Sequence, residues 1–332
     1  MKKHYDVIVV GAGPAGLECA RILKDSGRSV LLLERKNVIG PKVCAGGIIE
    51  SVGSFDLPDD RARVFFSHTI QIRKKAYAVS SKQPIRIVDR IDLGRHQLGI
   101  IKAASDITIL TGISVVGVEK NGILTDKGRF GYDALVGADG ATSIVRRYLK
   151  LKSKYTIGVY YDIPDRKDRI LLYLDGGSLG TGYIWEFPHH DFTNVGVHYH
   201  PRKLTSKQAR MLLHKYMQQH HYPIDPKTYR AFPIANHFEG CQFGDDVYLA
   251  GDAAGLASRL TGEGISFAII SGREVARKIL NPEYKMKDLE ALIRRKQQQD
   301  RIIKAFDRIP FGLNTCFGLF LIAFKMGLIR MQ

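Results

Sequence analysis

Short apolar runs alternate with stretches of helical spacing at the start of the chain. Residues 5–11 are mostly apolar and end in glycine, which predicts a buried strand. Residues 14–26 carry apolar side chains at helical spacing and stop before Gly27, and residues 29–33 form a second apolar run. Strand, helix and strand within about 30 residues form the β-α-β unit of a parallel sheet.

The rest of the chain continues this alternation but interrupts it with short alternating strands over 155–200, as in an antiparallel sheet. Further strands are predicted near 107–110, 113–119, 122–125, 134–138 and 246–250, and helices over 92–104, 205–220 and 264–280. We therefore predict an α/β fold with a Rossmann-like cofactor domain and an inserted antiparallel-sheet (α+β) substrate domain. The predicted boundaries are 1–60, 85–150 and 240–282 for the cofactor domain, 61–84 and 151–239 for the substrate domain, and 283–332 for a helical C-terminal segment.

A glycine-rich turn joins the first strand to the first helix. Its sequence, Gly11-Ala12-Gly13-Pro14-Ala15-Gly16, fits G-x-G-x-x-G. In such a turn the first glycine allows the bend, the second lets a pyrophosphate approach the backbone, and the third allows close helix–strand packing. Glu34, with Arg35 beside it, ends the second strand, where a carboxylate can accept hydrogen bonds from ribose hydroxyls. The unit predicts a site for FAD or NAD, since a carboxylate there disfavours the 2′-phosphate of NADP.

Later turns favour FAD over NAD. Residues 248–255 run from a short apolar strand into Gly-Asp-Ala-Ala, where Asp252 can face the ribityl hydroxyls of a flavin. Gly264 and Ile265 then open a helix whose amino terminus can stabilise the negative charge of a reduced flavin. Asp139-Gly140 is a third turn of similar type. Each alone is compatible with an ordinary turn, but three in this order predict bound FAD.

The charge balance narrows the class of partners. The chain has 332 residues, 50 Lys+Arg and 33 Asp+Glu, for a formal net charge of +17. Such a surplus favours polyanions: nucleic acid, anionic lipid surfaces or phosphorylated small molecules. Because the motifs describe a flavin site and no base-reading module, we expect no nucleic acid partner. Hydrophobic residues at 45% and charged residues at 25% exclude a disordered or membrane-spanning chain.

Cysteines and histidines show no metal-binding pattern. The four cysteines are scattered without ligand or disulfide spacing, so we expect no metal and a reducing, cytoplasmic setting. The apolar run after Met1-Lys2-Lys3 is too short for a secretory signal. We assign the histidines to surface or loop positions and basic runs such as 146–147 and 294–296 to solvated faces.

The C-terminal stretch over 302–329 is apolar with basic flanks and is interrupted by Pro310. Its unbroken apolar part, 316–324, is far shorter than the ~20 residues that a spanning helix needs. Such a segment can lie on a membrane surface, making the protein peripheral, or pack on the protein as a lid. Both alternatives stay open.

Three further motifs narrow the function. Residues 42–47 (KVCAGG) are similar to a K-x-C-G-G-G loop, with Ala45 in place of the first glycine. Residues 183–188 (YIWEFP) fit Y-x-W-x-F-P, and residues 262–265 (GEGI) precede a Ser-Gly pair in a helix. On these motifs the chain, over roughly residues 5–280, resembles the geranylgeranyl reductase family of FAD-dependent oxidoreductases, within the p-hydroxybenzoate-hydroxylase-like superfamily.

The resemblance implies bound FAD and two-electron reduction of isoprenoid C=C bonds. It implies that Cys44 lies beside the isoalloxazine, that Ala45, Gly46 and Gly47 contact the cofactor, and that Arg90 does so from a looser motif. Cys44 is then a proton donor, a gate or simply a small buried residue. Family members usually have a longer carboxy-terminal region, which implies an abbreviated prenyl tunnel here.

The same resemblance makes Tyr183, Trp185 and Phe187 the wall of a cavity for a polyprenyl or other apolar substrate. Independently of any family, these residues alternate along one predicted strand and share one face. They are therefore either a cavity wall or only the packed face of a strand.

The sequence leaves alternatives open for the electron donor and for the reaction. The chain has no second glycine fingerprint, so the donor is a transiently bound NAD(P)H or a redox protein such as ferredoxin. A flavin-dependent monooxygenase or halogenase, and a non-catalytic flavin-binding protein at a membrane, are the competing functions.

Overall fold

Two eight-stranded sheets carry the fold in a computed structural model that describes residues 3–49, 59–309 and 312–325. The helices are α1 Pro14–Leu23, α2 Arg90–Ile101, α3 Ile144–Tyr148, α4 Ser206–Gln219, α5 Ile265–Leu280, α6 Lys287–Asp307 and α7 Leu313–Lys325. The strands are β1 His4–Val10, β2 Val30–Glu34, β3 Gly47–Ile49, β4 Ala62–Ile72, β5 Lys75–Val88, β6 Ile107–Thr111, β7 Val115–Glu119, β8 Gly122–Thr125, β9 Gly128–Gly137, β10 Tyr155–Ile163, β11 Ile170–Leu174, β12 Tyr183–Pro188, β13 Thr193–Tyr199, β14 Arg230–Ala235, β15 Gln242–Phe243 and β16 Val247–Leu249.

The first sheet has the order β15-β16-β9-β1-β2-β6, with β7 and β8 extending it beside β9. Its central strands β16, β9, β1, β2 and β6 are parallel, so their carboxyl ends meet at one edge. Helices α1 and α5 pack so closely that a Cβ on Gly272 would lie 2.1 Å from the Ala15 carbonyl oxygen. Strands buried on both faces explain the unbroken apolar runs in the sequence. The predicted α/β fold is confirmed.

The second sheet has the order β14-β10-β13-β12-β11-β4-β5-β3. Its pairs are antiparallel except for β11 with β4, which run parallel. Alternate residues of β13 such as Val195 and Val197 pack against α4, and the others face the opposite side. This opposite face carries the aromatic motif. The domain boundaries given above stay a prediction.

Most predicted elements have their predicted type, and the differences have local causes. Helix α1 ends at Leu23 rather than at residue 26, because Asp25 and Gly27 adopt positive φ angles of 59° and 75°. Strand β9 begins at Gly128, ahead of the predicted residue 134, because its first residues pair antiparallel with β8.

The C-terminal segment folds onto the protein. Helix α7 buries Phe317 and Leu321 against Ile72 of β4, and Phe306 of α6 packs edge-on against Phe317 at 5.3 Å between ring centroids. Pro310 and the end of the predicted segment beyond residue 325 lie outside the described residues. Of the helices in the described ranges, none has the length and apolar character to cross a membrane.

The prediction of surface or loop positions was wrong for His198, which lies in β13 and is only 1% exposed. His189 and His200 do lie in the loops that follow β12 and β13, but they are buried as well, at 4% and 6% exposed. Arg146 is buried as well, since its guanidinium donates to backbone carbonyls and pairs with Glu239 at 3.0 Å. The side chain of Lys296 in the second basic run is likewise buried.

Candidate active site

The glycine turn lies at the carboxyl edge of the parallel sheet. At two of its positions the packing is so close that only glycine fits. Gly11 has φ +100°, and a Cβ there would lie 2.6 Å from the Ala138 carbonyl oxygen. A Cβ on Gly16 would lie 1.9 Å from the Gly11 carbonyl oxygen, so no larger residue fits. The Glu34 carboxylate reaches the same turn and accepts a hydrogen bond from the Ala12 N–H at 3.0 Å.

Gly13 differs from these two glycines, because a Cβ there would meet nothing within 4 Å. It borders a cavity of about 300 Å³, the glycine-turn cavity, which lies between the turn and the end of β2. From the predicted set this cavity is lined by Gly11, Ala12, Gly13, Glu34, Arg35 and Arg90, together with Lys42, Asp139, Gly140 and Arg147. The predicted ribose carboxylate and the predicted pyrophosphate glycine therefore border one space.

A second cavity of about 370 Å³, the aromatic cavity, continues from the first. Gly13, Lys42, Arg90, Ala138 and Gly140 line both. The aromatic cavity brings together the remaining predicted residues Pro14, Ala15, Cys44, Ala45, Gly46, Gly47, Tyr183, Trp185, Phe187, Asp252, Gly264 and Ile265. Gly16 alone of the predicted set lines neither, because it packs the helix against the turn.

The two connected cavities fit FAD. Gly13 leaves its side of the turn open for a pyrophosphate, and the amino terminus of α1 offers free N–H groups there. Arg90 is 9% exposed, and its Nε has no hydrogen-bond partner in the described part of the chain. Since a buried donor is rarely left unpaired, a cofactor oxygen between the two cavities would satisfy it. Asp252 faces the same junction and pairs with Lys42 at 3.2 Å.

The loop over 42–47 is fixed from three sides. The Gly46 N–H donates to the Cys44 Sγ at 3.4 Å, and a Cβ on Gly47 would lie 2.8 Å from the Phe187 ring. The His189 ring places Nδ1 2.7 Å from the Asp89 carboxylate and Nε2 3.1 Å from the Ala45 carbonyl oxygen. Through these two contacts His189, which follows β12, ties the loop to the sheet.

The three motif aromatics share one face and line the aromatic cavity. That this wall binds a substrate stays a prediction. The ring centroids of Trp185 lie 6.2 Å from those of Tyr183 and of Phe187. The Trp185 Nε1–H donates to the Asn194 amide oxygen at 2.7 Å. A Cβ on Gly196 would lie 2.2 Å from the indole, so the ring can lie against the sheet only because this position has no side chain.

Polar residues cluster where the Thr261–Gly264 loop meets the aromatic cavity. The Tyr183 hydroxyl donates to the Thr261 carbonyl oxygen, and burial raises its pKa above the ordinary value. Burial also raises the pKa of Glu263, although its carboxylate pairs with Arg295 at 2.9 Å. Tyr183 and the motif over 262–265 place part of this cluster from the sequence, whereas the ion pair between Glu263 and Arg295 was not predicted.

The buried histidines of this cluster make stability depend on pH. Burial lowers the pKa of His198 to about 3 and that of His200 to about 4, with the positive charge of Arg259 adding to the effect. In the unfolded chain each titrates near 6.5. Between these values the unfolded state binds more protons, so the free energy of unfolding falls as pH falls below 6.5.

We expect the substitution His198→Gln to make the free energy of unfolding less dependent on pH. Between pH 6.5 and 5 the wild type should lose ~2 kcal/mol more unfolding free energy than the variant, because one imidazole costs up to ~1.4 kcal/mol per pH unit. Denaturant unfolding of both proteins across this range measures the difference. Parallel pH profiles would show that His198 is not held neutral.

Comparisons with known proteins agree with this geometry. Residues 5–157 match the family model of pyridine nucleotide-disulphide oxidoreductases. The chain is 28% identical over 324 residues to digeranylgeranylglycerophospholipid reductase 3 of Methanosphaera stadtmanae. The aligned region covers 87% of this chain and 81% of that protein. These relations confirm the resemblance that the motifs predicted.

Solved structures share the fold. A geranylgeranyl bacteriochlorophyll reductase-like protein from Thermoplasma acidophilum matches with a TM-score of 0.77 and 21% identity, over 93% of this chain and 89% of that chain. A probable FAD-dependent monooxygenase from Pseudomonas aeruginosa matches with a TM-score of 0.68 and 18% identity, over 91% of this chain and 94% of that chain. At these identities the match shows the FAD-binding fold.

Proposed function

We propose that this chain, an FAD-dependent oxidoreductase similar to the geranylgeranyl reductases, reduces C=C bonds of a polyprenyl lipid or lipid precursor. One observation carries the proposal: a single apolar cavity leads from the predicted flavin contacts along Tyr183, Trp185 and Phe187 to the aromatic side chains of α6 and α7. A long hydrocarbon chain matches such a lining, because its burial is favourable over its whole length. The relatives' names point to the same substrate class.

The proposed mechanism needs a hydride at one alkene carbon and a proton at the other. When bound and reduced, FAD supplies the hydride from N5. The aromatic wall excludes water and orients the alkene, which replaces diffusional encounter by a fixed geometry. The Cys44 Sγ accepts from the Gly46 N–H, which leaves the thiol proton free to face the cavity. That proton goes to the second carbon, and solvent later restores the thiol.

We expect Cys44→Ala to slow alkene reduction by about 100-fold or more, the usual contribution of a positioned acid. Ligand affinity should change little, since the side chain is small. Flavin reoxidation by a prenyl alkene measures the rate, and fluorescence of Trp185, the single tryptophan, measures binding. An unchanged rate with intact binding would make Cys44 a lining residue only.

The alternative function, flavin-dependent hydroxylation or halogenation, is supported by the monooxygenase neighbour's fold. It predicts rapid NAD(P)H oxidation in air with an oxygenated or halogenated product. We expect instead that oxygen is not incorporated and that the prenyl product gains only two hydrogens per bond. Product mass after turnover in air and under nitrogen separates the two functions. NAD(P)H and ferredoxin, tested in parallel, identify the donor.

We further propose that α7 contacts an anionic membrane from which the substrate enters. Its Leu319 and Ile322 are 61% and 47% exposed, on the helix whose Phe317 and Leu321 line the aromatic cavity. The net charge of +17 favours an anionic surface.

Replacing Leu319 and Ile322 by serine should lower binding to anionic vesicles about tenfold or more, because two apolar side chains no longer insert. Folding should be unaffected, as both are exposed. Vesicle co-sedimentation measures the change, with Met211→Ser, equally exposed on α4, as the matched control. Equal binding of all three proteins would place the membrane contact elsewhere or remove it.

A further inference from the structure

His198 is a buried polar group in the aromatic cavity for which the described chain supplies no partner. It lies on the cavity face of β13, is 1% exposed, and neither ring nitrogen has a hydrogen-bond partner. Its ring centroid is 5.2 Å from that of Tyr183 and 5.7 Å from that of His200. Neither the predicted flavin contacts nor the three-residue aromatic wall includes this residue.

The polar neighbours of His198 are already engaged with other groups. The Tyr183 hydroxyl donates to the Thr261 carbonyl oxygen. Arg259 pairs with Asp307 at 2.9 Å and donates to the His200 Nδ1 at 3.5 Å. No member of this described cluster is therefore left to satisfy His198.

The imidazole also borders open space, because Tyr183, His198 and Gly262 all line the aromatic cavity. Gly262 has φ +68° and lets the loop approach closely, since a Cβ there would lie 3.2 Å from the Tyr183 hydroxyl and 3.6 Å from the His198 Cδ2. Burial lowers the pKa of His198 to about 3, so at neutral pH the ring has one N–H donor and one acceptor nitrogen. A small uncharged group can both reach the ring and satisfy it.

We propose that the ligand of the aromatic cavity carries an uncharged oxygen, a hydroxyl or an ether, that hydrogen-bonds to His198. His198 is thus a specificity-determining residue for an oxygen-bearing ligand, and this inference rests on the proposed function only in taking the ligand to be isoprenoid. A pure hydrocarbon would leave the buried imidazole unsatisfied, which costs free energy. A charged phosphate would be buried beside a neutral ring with the nearby Arg259 already paired, so it belongs outside the cavity.

The test compares three ligands of one chain length: geranylgeraniol, its methyl ether, and the hydrocarbon that ends in a methyl group. Trp185 fluorescence reports binding to the FAD-loaded, oxidised protein without turnover. We expect the wild type to bind the alcohol and the ether about tenfold more tightly than the hydrocarbon. This comparison needs no variant.

Two variants locate the effect. His198→Phe keeps an aromatic ring without polar atoms and should remove the preference, by weakening the alcohol and ether about tenfold while hydrocarbon binding stays or improves. His198→Gln keeps a donor and an acceptor and should retain most of the preference. Thermal unfolding of each variant checks the fold.

Three outcomes would overturn the proposal: equal wild-type affinities for all three ligands, an equal loss for all three in His198→Phe, or a preference that persists in His198→Phe. The second indicates a structural role, and the first indicates that only water meets the imidazole. If the protein discriminates between the ligands in binding but reduces no C=C bond, the proposed reaction is wrong and this inference holds. If it reduces a C=C bond but binds all three ligands equally, the proposed reaction holds and this inference is wrong.

Discussion

Gly13→Val should abolish FAD binding while the apo-protein keeps its stability. A side chain at Gly13 meets no atom within 4 Å, so the protein itself has room for it. The added methyls would project into the junction of the two cavities, where the pyrophosphate must approach the backbone. We expect FAD affinity to fall by about 100-fold or more, equivalent to ~3 kcal/mol. Flavin titration together with thermal unfolding of the apo-protein measures both quantities.

Two other glycines provide controls for this experiment. Gly99→Val places the same side chain in equally open space on the exposed side of α2, and FAD affinity should not change. Gly16→Ala should instead destabilise the fold itself, since its Cβ would lie 1.9 Å from a carbonyl oxygen. A Gly13→Val protein that purifies with a full complement of FAD would contradict the proposed position of the pyrophosphate.

Leu172→Trp should block prenyl reduction without loss of the cofactor. Leu172 of β11 pairs with Trp185 of β12 and lines the aromatic cavity, which has about 370 Å³. A second indole would fill the path of the substrate chain. We expect reoxidation of the reduced flavin by a prenyl alkene to slow by about 100-fold or more, as for a misplaced substrate. FAD content and chemical reduction of the flavin should match the wild type.

Leu124→Trp serves as the matched control, because Leu124 is 38% exposed on β8 and lines neither cavity. Its prenyl reduction rate should equal that of the wild type. A Leu172→Trp protein that still reduces the prenyl alkene at the wild-type rate would show that the substrate does not occupy the aromatic cavity.

The cofactor end of the site could be predicted because its chemistry is local in sequence. The glycine turn and Glu34 belong to one β-α-β unit, so their spacing alone brings them together. The position of Asp252 could be predicted for a similar reason. This residue follows a parallel strand, and the carboxyl end of that strand must lie at the same edge of the sheet as that of β1.

The polar groups of the substrate end could not be predicted, because their burial arises from distant pairings. His198 is buried because β13 lies between β10 and β12 and because the loop that contains Gly262 lies against its cavity face. His189 reaches Ala45 across 144 residues of sequence. No periodicity in a single strand carries this information, so the predicted surface or loop position was wrong for His198.

The apolar character of the C-terminal segment was predicted, but the surface against which it packs was not. Helical spacing identifies the apolar face that carries Phe317 and Leu321, yet a membrane and a protein surface satisfy such a face equally well. The contact with Ile72 of β4 decided between packing and insertion for that face. Leu319 on the opposite side stays exposed.

The most direct test is an anaerobic single turnover of the FAD-loaded protein. The flavin is reduced chemically, a geranylgeranyl alcohol, ether or diphosphate is added under nitrogen, and the return of oxidised-flavin absorbance is followed beside the product mass. We predict that absorbance returns with one alkene bond reduced per flavin and two hydrogens gained by the product. A reduced flavin that no prenyl substrate reoxidises, but that oxygen reoxidises with formation of a hydroxylated or halogenated product, would contradict the proposed reaction.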